Sequence, residues 1–144
     1  LEAFPACTLI CFTVQLPGAV KRNRNSLIIG GAGLEALLNR FGSVLRHVQV
    51  KDLKTGYEAY LAVTLPERMV KAMCCEIEDS HPLGRLMDMD VFFHEGAVDR
   101  STLGLPPRKC LLCGNEVRYC MRAKTHTTEE LLGKIEGIIN AYIE

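Results

Sequence analysis

Period-two and period-3.6 apolar patterns alternate along the first two thirds of this chain, in an order that few folds accommodate. From Cys7 to Leu16 the residues are mostly apolar or β-branched, and Thr8, Ile10, Phe12, Val14 and Leu16 form one face at period two, the mark of a strand. Pro17-Gly18 ends it. A basic loop, Lys21-Arg22-Asn23-Arg24-Asn25, then leads to Ser26, the expected N-cap of a helix ending near Phe41-Gly42, with glycines at 30, 31 and 33 weakening its first half. Val44 to Lys51 and Tyr57 to Leu65 alternate as two further strands, and the polar stretch Asp52-Leu53-Lys54-Thr55-Gly56 between them makes a hairpin. Pro66-Glu67 opens a second helix, whose Met69, Val70, Met73, Cys74 and Ile77 recur at helical spacing and which ends before Pro82. Leu86 to Phe93 is a fourth strand.

The order β-α-β-β-α-β is that of the ferredoxin-like unit, a four-stranded antiparallel sheet with two helices on one face. A loop-rich stretch from Arg100 to Lys124 follows, holding Pro106-Pro107 and three cysteines. A final helix starts at a capping box, Thr127-Thr128-Glu129-Glu130, and carries the stripe Leu131, Leu132, Ile135, Ile138, Ile139 and Tyr142. The expected class is therefore α+β, with residues 7–94 as the sheet unit and 100–144 as a Cys-rich loop and terminal helix. A chain of 144 residues, 48% of them hydrophobic, suffices for one core and is short for two, so residues 1–144 are expected to form a single domain.

Charge narrows the function classes. Lys and Arg number 17, as do Asp and Glu, so no global field recruits nucleic acid or an anionic membrane, and there is no Trp or aromatic-basic stripe. No apolar run approaches the roughly 20 residues of a membrane span, and Leu1-Glu2-Ala3-Phe4-Pro5 lacks the regions of a signal peptide, which points to the cytoplasm. The first residue is Leu rather than Met, so the sequence reads as one trimmed at its start. Seven unevenly spaced cysteines do not form a secreted disulfide framework.

Three constellations carry chemistry. On a strand, Asp88 and Asp90 point to one side while Met87, Met89, Val91 and Phe93 point to the other, and paired carboxylates suit Mg²⁺, which takes one or two of them plus substrate phosphates. An isolated Asp-x-Asp is more often simply the wet face of a strand, but His81, Gly84 and Arg85 precede this one, and a guanidinium is a natural phosphate partner. The second is the loop Lys21-Arg22-Asn23-Arg24: if the first and fourth strands are neighbours, it lies near His81 to Arg85, although such loops are usually just solvated. Gly30-Gly31-Ala32-Gly33 matches neither phosphate-binding glycine motif and is read as a packing or flexibility feature. The third is Cys110-x2-Cys113-x6-Cys120-x5-His126, three thiolates and an imidazole at the spacing of a closed structural zinc site, with Gly114-Asn115 as a tight turn; the alternative is a set of reduced thiols. Cys7, Cys11 and Cys74 are read as small buried hydrophobes.

Pro17-Gly18-x-x-Lys21, His81-Pro82-Leu83-Gly84-Arg85-Leu86-Met87-Asp88-Met89-Asp90-Val91 and Leu105-Pro106-Pro107-Arg108-Lys109-Cys110-Leu111-Leu112-Cys113, with Cys120 and His126, resemble the apo-citrate lyase phosphoribosyl-dephospho-CoA transferase family, also called holo-citrate lyase acyl-carrier-protein synthase. The resemblance spans nearly the whole chain. It implies a cytoplasmic nucleotidyltransferase whose partners are triphosphoribosyl-dephospho-CoA and the apo citrate lyase acyl carrier protein. A carrier serine would attack the phosphorus nearest the ribose and expel pyrophosphate. It further implies that Asp88 and Asp90 hold Mg²⁺, that Arg85, Lys21 and Arg22 bind the triphosphate, and that His81 is the general base. The competing reading is a non-catalytic, zinc-stabilised ferredoxin-like binding or regulatory module, which needs no metal at Asp88 and Asp90.

Overall fold

A computed structural model describes residues 6–17, 22–94, 96–113, 115–117, 120 and 125–143. Its centre is β1 (Thr8–Val14), whose Thr8, Ile10 and Phe12 are buried while Leu9, Cys11 and Thr13 are half-buried, the two-faced pattern of a strand covered on one side. β1 pairs antiparallel with β3 (Gly56–Val63) on one edge and with β4 (Met87–Phe93) on the other. Outside β3 lies β2 (Leu45–Leu53), and outside β4 lies β5 (Gly96–Val98), so the sheet has five antiparallel strands in the order β2-β3-β1-β4-β5. The fold is α+β, with one strand more than the four expected. At three residues β5 is too short to carry any periodicity.

Two helices connect these strands. α1 (Arg24–Phe41) buries Ile29, Leu37 and Phe41, and α2 (Glu67–Ser80) buries Val70 and Cys74, all in one core with Ile10, Phe12, Leu61, Met87, Met89 and Val91. The N-cap of α1 is Asn23, not Ser26. Asn23 Oδ1 accepts from Ser26 N and Ser26 Oγ accepts from Asn23 N, each at 2.9 Å, so starting three residues earlier satisfies two orphan donors at once. The glycines of α1 are there for packing: a Cβ at Gly33 would stand 2.2 Å from the Phe12 ring, and one at Gly30 would stand 2.5 Å from the Tyr57 ring. The β2–β3 turn is tighter than the pattern suggests. Asp52 and Leu53 pair with Tyr57 and Gly56, leaving Lys54-Thr55 as a two-residue connection closed by Gly56 at φ +135°.

The last helix, α3 (Thr128–Ile143), starts at the expected capping box: Thr127 Oγ1 accepts from Glu130 N at 3.1 Å and Glu130 Oε1 from Thr127 N at 2.9 Å. Its Ile135 and Ile139 enter the same core. Among the described residues no helix is long and apolar enough to cross a membrane.

Candidate functional site

Among the described residues the helices lie on one face of the sheet, and the half-buried residues alternating with the core line the other. Asp88 lies across from Thr13 and Asp90 from Cys11; one strand further, Thr13 faces Glu58 and Cys11 faces Tyr60. Gln15 Nε2 donates to Asp88 Oδ2 at 3.0 Å, and Tyr60 Oη donates to Glu58 Oε1 at 2.6 Å. Burial, and after it the neighbouring Asp88, pushes the Asp90 carboxyl above the usual carboxylate range. The hydrogen bond to Glu58 leads the causes that push the Tyr60 phenol to about 12. Cys11 is half-buried in this face rather than in the core, and burial, Asp90 and Glu58 raise its thiol. Gln15, Glu58 and Tyr60 were not singled out from the sequence. Only cross-strand register, which pairs residues dozens of positions apart, brings them to the carboxylates.

The backbone of β4 is held by buried charge. Glu78 on α2, 2% exposed, accepts from Met89 N at 2.8 Å, and Lys71, 7% exposed, donates to Met89 O at 2.9 Å. Arg108 donates to Met87 O at 2.7 Å and to Gly84 O at 2.9 Å, and its Nη1 lies 3.8 Å from Glu78 Oε2. Arg100 closes the group on Glu78 at 2.7 Å and on Asp79 at 3.0 Å. Burial works against the Arg100 cation, but its bonds to Asp79 and Glu78 outweigh this and raise its pKa.

The remaining residues of interest are dispersed. Arg85, half-buried in the 3₁₀ turn Gly84–Leu86, makes no hydrogen bond or ion pair among the described residues; burial and the like charge of Arg108 lower its pKa. His81 caps the end of α2. Its Nδ1 accepts from Leu83 N at 2.9 Å, its ring lies 5.7 Å from that of Tyr142, and burial lowers its pKa. The end of β1 does meet the start of β4, Val14 opposite Met87. Arg22 forms a two-pronged pair with Asp52 at 2.9 and 2.8 Å, near the end of the edge strand β2, and Arg24 stands 4.0 Å from Glu136 on α3. Lys21 lies outside the described residues.

The ligating atoms of Cys110, Cys113, Cys120 and His126 all lie within 4.8 Å of one another, with Cys113 Sγ 3.5 Å from Cys120 Sγ. Four ligands at Zn–S distances of about 2.3 Å make a tetrahedron with edges of about 3.8 Å, so the cluster fits such an ion. The chemistry of the donors agrees. His126 Nε2 is buried without a hydrogen-bond partner among the described residues, a cost that a bound cation removes. The loop is closed by Cys110 N donating to Asn115 O at 2.7 Å, Val117 N donating to Arg108 O at 2.9 Å, and a bridge between Lys109 and Glu116; Gly114 lies outside the described residues. Burial opposes the Cys110 thiolate, but Leu112 N and the neighbouring thiols outweigh it and hold its pKa below the ordinary value. Cys120 is pushed up to about 11 by burial and by Cys113 and Cys110. All four donors come from protein, the arrangement that closed, structural zinc sites have.

Against this geometry, comparison with known proteins is decisive. The sequence profile of the apo-citrate lyase phosphoribosyl-dephospho-CoA transferase family matches residues 1–142. The chain belongs to that family. A probable apo-citrate lyase phosphoribosyl-dephospho-CoA transferase of Vibrio cholerae serotype O1 (strain ATCC 39315 / El Tor Inaba N16961) is 40% identical over 139 residues, covering 93% of this chain and 78% of the relative. Enzymes named apo-citrate lyase phosphoribosyl-dephospho-CoA transferase from Escherichia coli O1:K1 / APEC and Shigella boydii serotype 18 are each 38% identical over 136 residues, covering 92% of this chain and 74% of theirs.

Proposed function

We propose that this chain transfers the phosphoribosyl-dephospho-CoA group from triphosphoribosyl-dephospho-CoA to a serine of the apo citrate lyase acyl carrier protein. The observation that carries this reading is the match to a transferase family over residues 1–142, which favours it over a non-catalytic binding module. The serine oxygen forms a bond to the phosphorus nearest the ribose, the bond from that phosphorus to the pyrophosphate oxygen breaks, and the serine proton passes to a base. Catalysis of this kind rests on positioning and charge neutralisation more than on covalent chemistry by the enzyme. Asp88 and Asp90 would hold Mg²⁺, which supplies neutralisation of phosphate charge when bound.

Arg85 is the cation best supported for the donor's phosphates, since it is half-buried and unpaired among the described residues. Lys21 and Arg22 are assigned to the same anion, and Arg22 would leave Asp52 to reach it. His81 is assigned as base through Nε2, because Nδ1 already holds Leu83 N. The Cys110, Cys113, Cys120 and His126 cluster would hold a structural Zn²⁺. The first four strands, in the order β2-β3-β1-β4, with α1 and α2 between them, support the ferredoxin-like reading of residues 7–94, and the core shared with α3 supports a single domain.

The test is mass spectrometry of the apo carrier protein incubated with this chain, Mg²⁺ and triphosphoribosyl-dephospho-CoA. A mass gain equal to the prosthetic group, lost with Asp88→Asn, is expected. No gain either from the folded chain or from the chain extended at its N-terminus refutes the assignment.

A further inference from the structure

The side of β4 that faces away from β1 is only partly covered by a strand. β5 pairs with Val91, Phe92 and Phe93 and with nothing before them. Leu86 O accepts from Gln15 N, so even-numbered residues of β4 turn their backbone toward β1 and odd-numbered ones turn theirs outward. The outward groups of Met87 and Met89 would be left unpaired at a buried edge, and side chains pair them instead: Arg108 at Met87 O, Glu78 at Met89 N and Lys71 at Met89 O. These peptides bracket Asp88 and precede Asp90. Arg108 is the member of this group that does not come from α2. It stands at the mouth of the Cys-rich loop, its own carbonyl held by Val117 N, two residues before Cys110.

We propose that Arg108 is a positioning residue for the Asp88 and Asp90 carboxylates, and that the Cys-rich loop serves the reaction by delivering this guanidinium to the strandless edge of β4. The inference rests on the reading of Asp88 and Asp90 as the Mg²⁺-holding pair. The fork geometry is what matters: one guanidinium spans Met87 O at 2.7 Å and Gly84 O at 2.9 Å, which ties the strand to the turn before it and fixes the plane from which the Asp88 side chain leaves. Lysine at this position keeps the charge beside Glu78 but is a single point on a flexible stem and cannot hold both carbonyls in one geometry.

The experiment compares wild type, Arg108→Lys, Asp88→Asn and, as a control, Arg40→Gln, whose partner Glu76 lies on the exposed side of α2. Transfer to the apo carrier protein is measured as Mg²⁺ is titrated, and hydrogen exchange is followed in the peptide covering residues 84–90. Arg108→Lys is expected to raise the Mg²⁺ concentration for half-maximal transfer about tenfold, the loss usual when a group supporting a metal ligand is removed, and to speed exchange in that peptide. Arg40→Gln changes neither. If Asp88→Asn is inactive while a folded Arg108→Lys keeps the wild-type Mg²⁺ requirement, the positioning role is overturned and the carboxylate site stands. If Asp88→Asn transfers at the wild-type rate, the site itself is wrong and the inference falls with it. Arg108→Gln, read in the same way, replaces the lysine variant should that one not fold.

Discussion

Asp90 is where stability and the proposed Mg²⁺ site meet in a single carboxylate. Its pKa is raised in the folded protein, by burial first and by Asp88 second, so folding favours its protonated form. The stability it contributes is therefore present at low pH and is lost as pH rises from the ordinary value of 3.8 through the raised one; at neutral pH the ionised group is a burden. Asp90→Asn should thus melt higher than wild type at pH 7, by less than about 1 kcal/mol because the site is half-exposed and solvent screens it. The same variant should lose transfer at least about a hundredfold, since a carboxamide is a poor ligand for a hard cation. A variant that melts lower at pH 7 would show that the carboxylate is held by a partner rather than held ready for one. On the acid side, protonation of this carboxyl competes with Mg²⁺ for the same oxygens, so the Mg²⁺ concentration for half-maximal transfer should rise as pH falls. The pair was legible in the sequence because period two puts positions 88 and 90 on one face. Gln15 beside Asp88 was not, because register across 73 positions is a property of the sheet.

At the scale of elements, the glycines of α1 separate propensity from packing. Gly31 has open space where a Cβ would go, so Gly31→Ala should stabilise the protein by about 0.5–1 kcal/mol through backbone entropy alone. Gly33→Ala gains the same entropy but drives a methyl group to 2.2 Å from the ring of the fully buried Phe12, so it should destabilise the protein by about 1–3 kcal/mol. Urea melts of the two variants decide the matter, and equal shifts would mean that α1 does not lie against β1 as described. The Cys-rich loop makes a comparable claim about metal. Elemental analysis should find about one zinc per chain, lost in Cys113→Ser, and less than about half an equivalent in the wild type would remove the zinc reading. The clustering of Cys110, Cys113, Cys120 and His126 was legible from spacing. The start of α1 was not, because Asn23 and Ser26 are both good caps and only their reciprocal bonding selects the earlier one.

For the whole molecule, the question is whether the last helix is an appendage or part of the one core. The sequence gives the stripe of α3 but not its destination, since an amphipathic helix can cover its own domain or a partner equally well. Here Ile139 is fully buried and Ile135 nearly so, in a cluster with Phe41 of α1 and Met89 of β4, and Glu136 meets Asn25 at 2.6 Å. The chain between β5 and α3 is the loop that carries Arg108 and the Cys cluster, so docking the helix fixes both ends of that loop. Ile139→Ala should therefore cost about 2–4 kcal/mol, as truncation in a shared core does. It should also shift one cooperative transition seen alike by far-UV circular dichroism and by tyrosine fluorescence. An appended helix would behave differently, with a second, early transition and with the main melt left where it was. Cooperative loss is the outcome that joins the fold to the site, because a chain that unfolds as one unit releases Arg108 from β4 only when the core itself gives way.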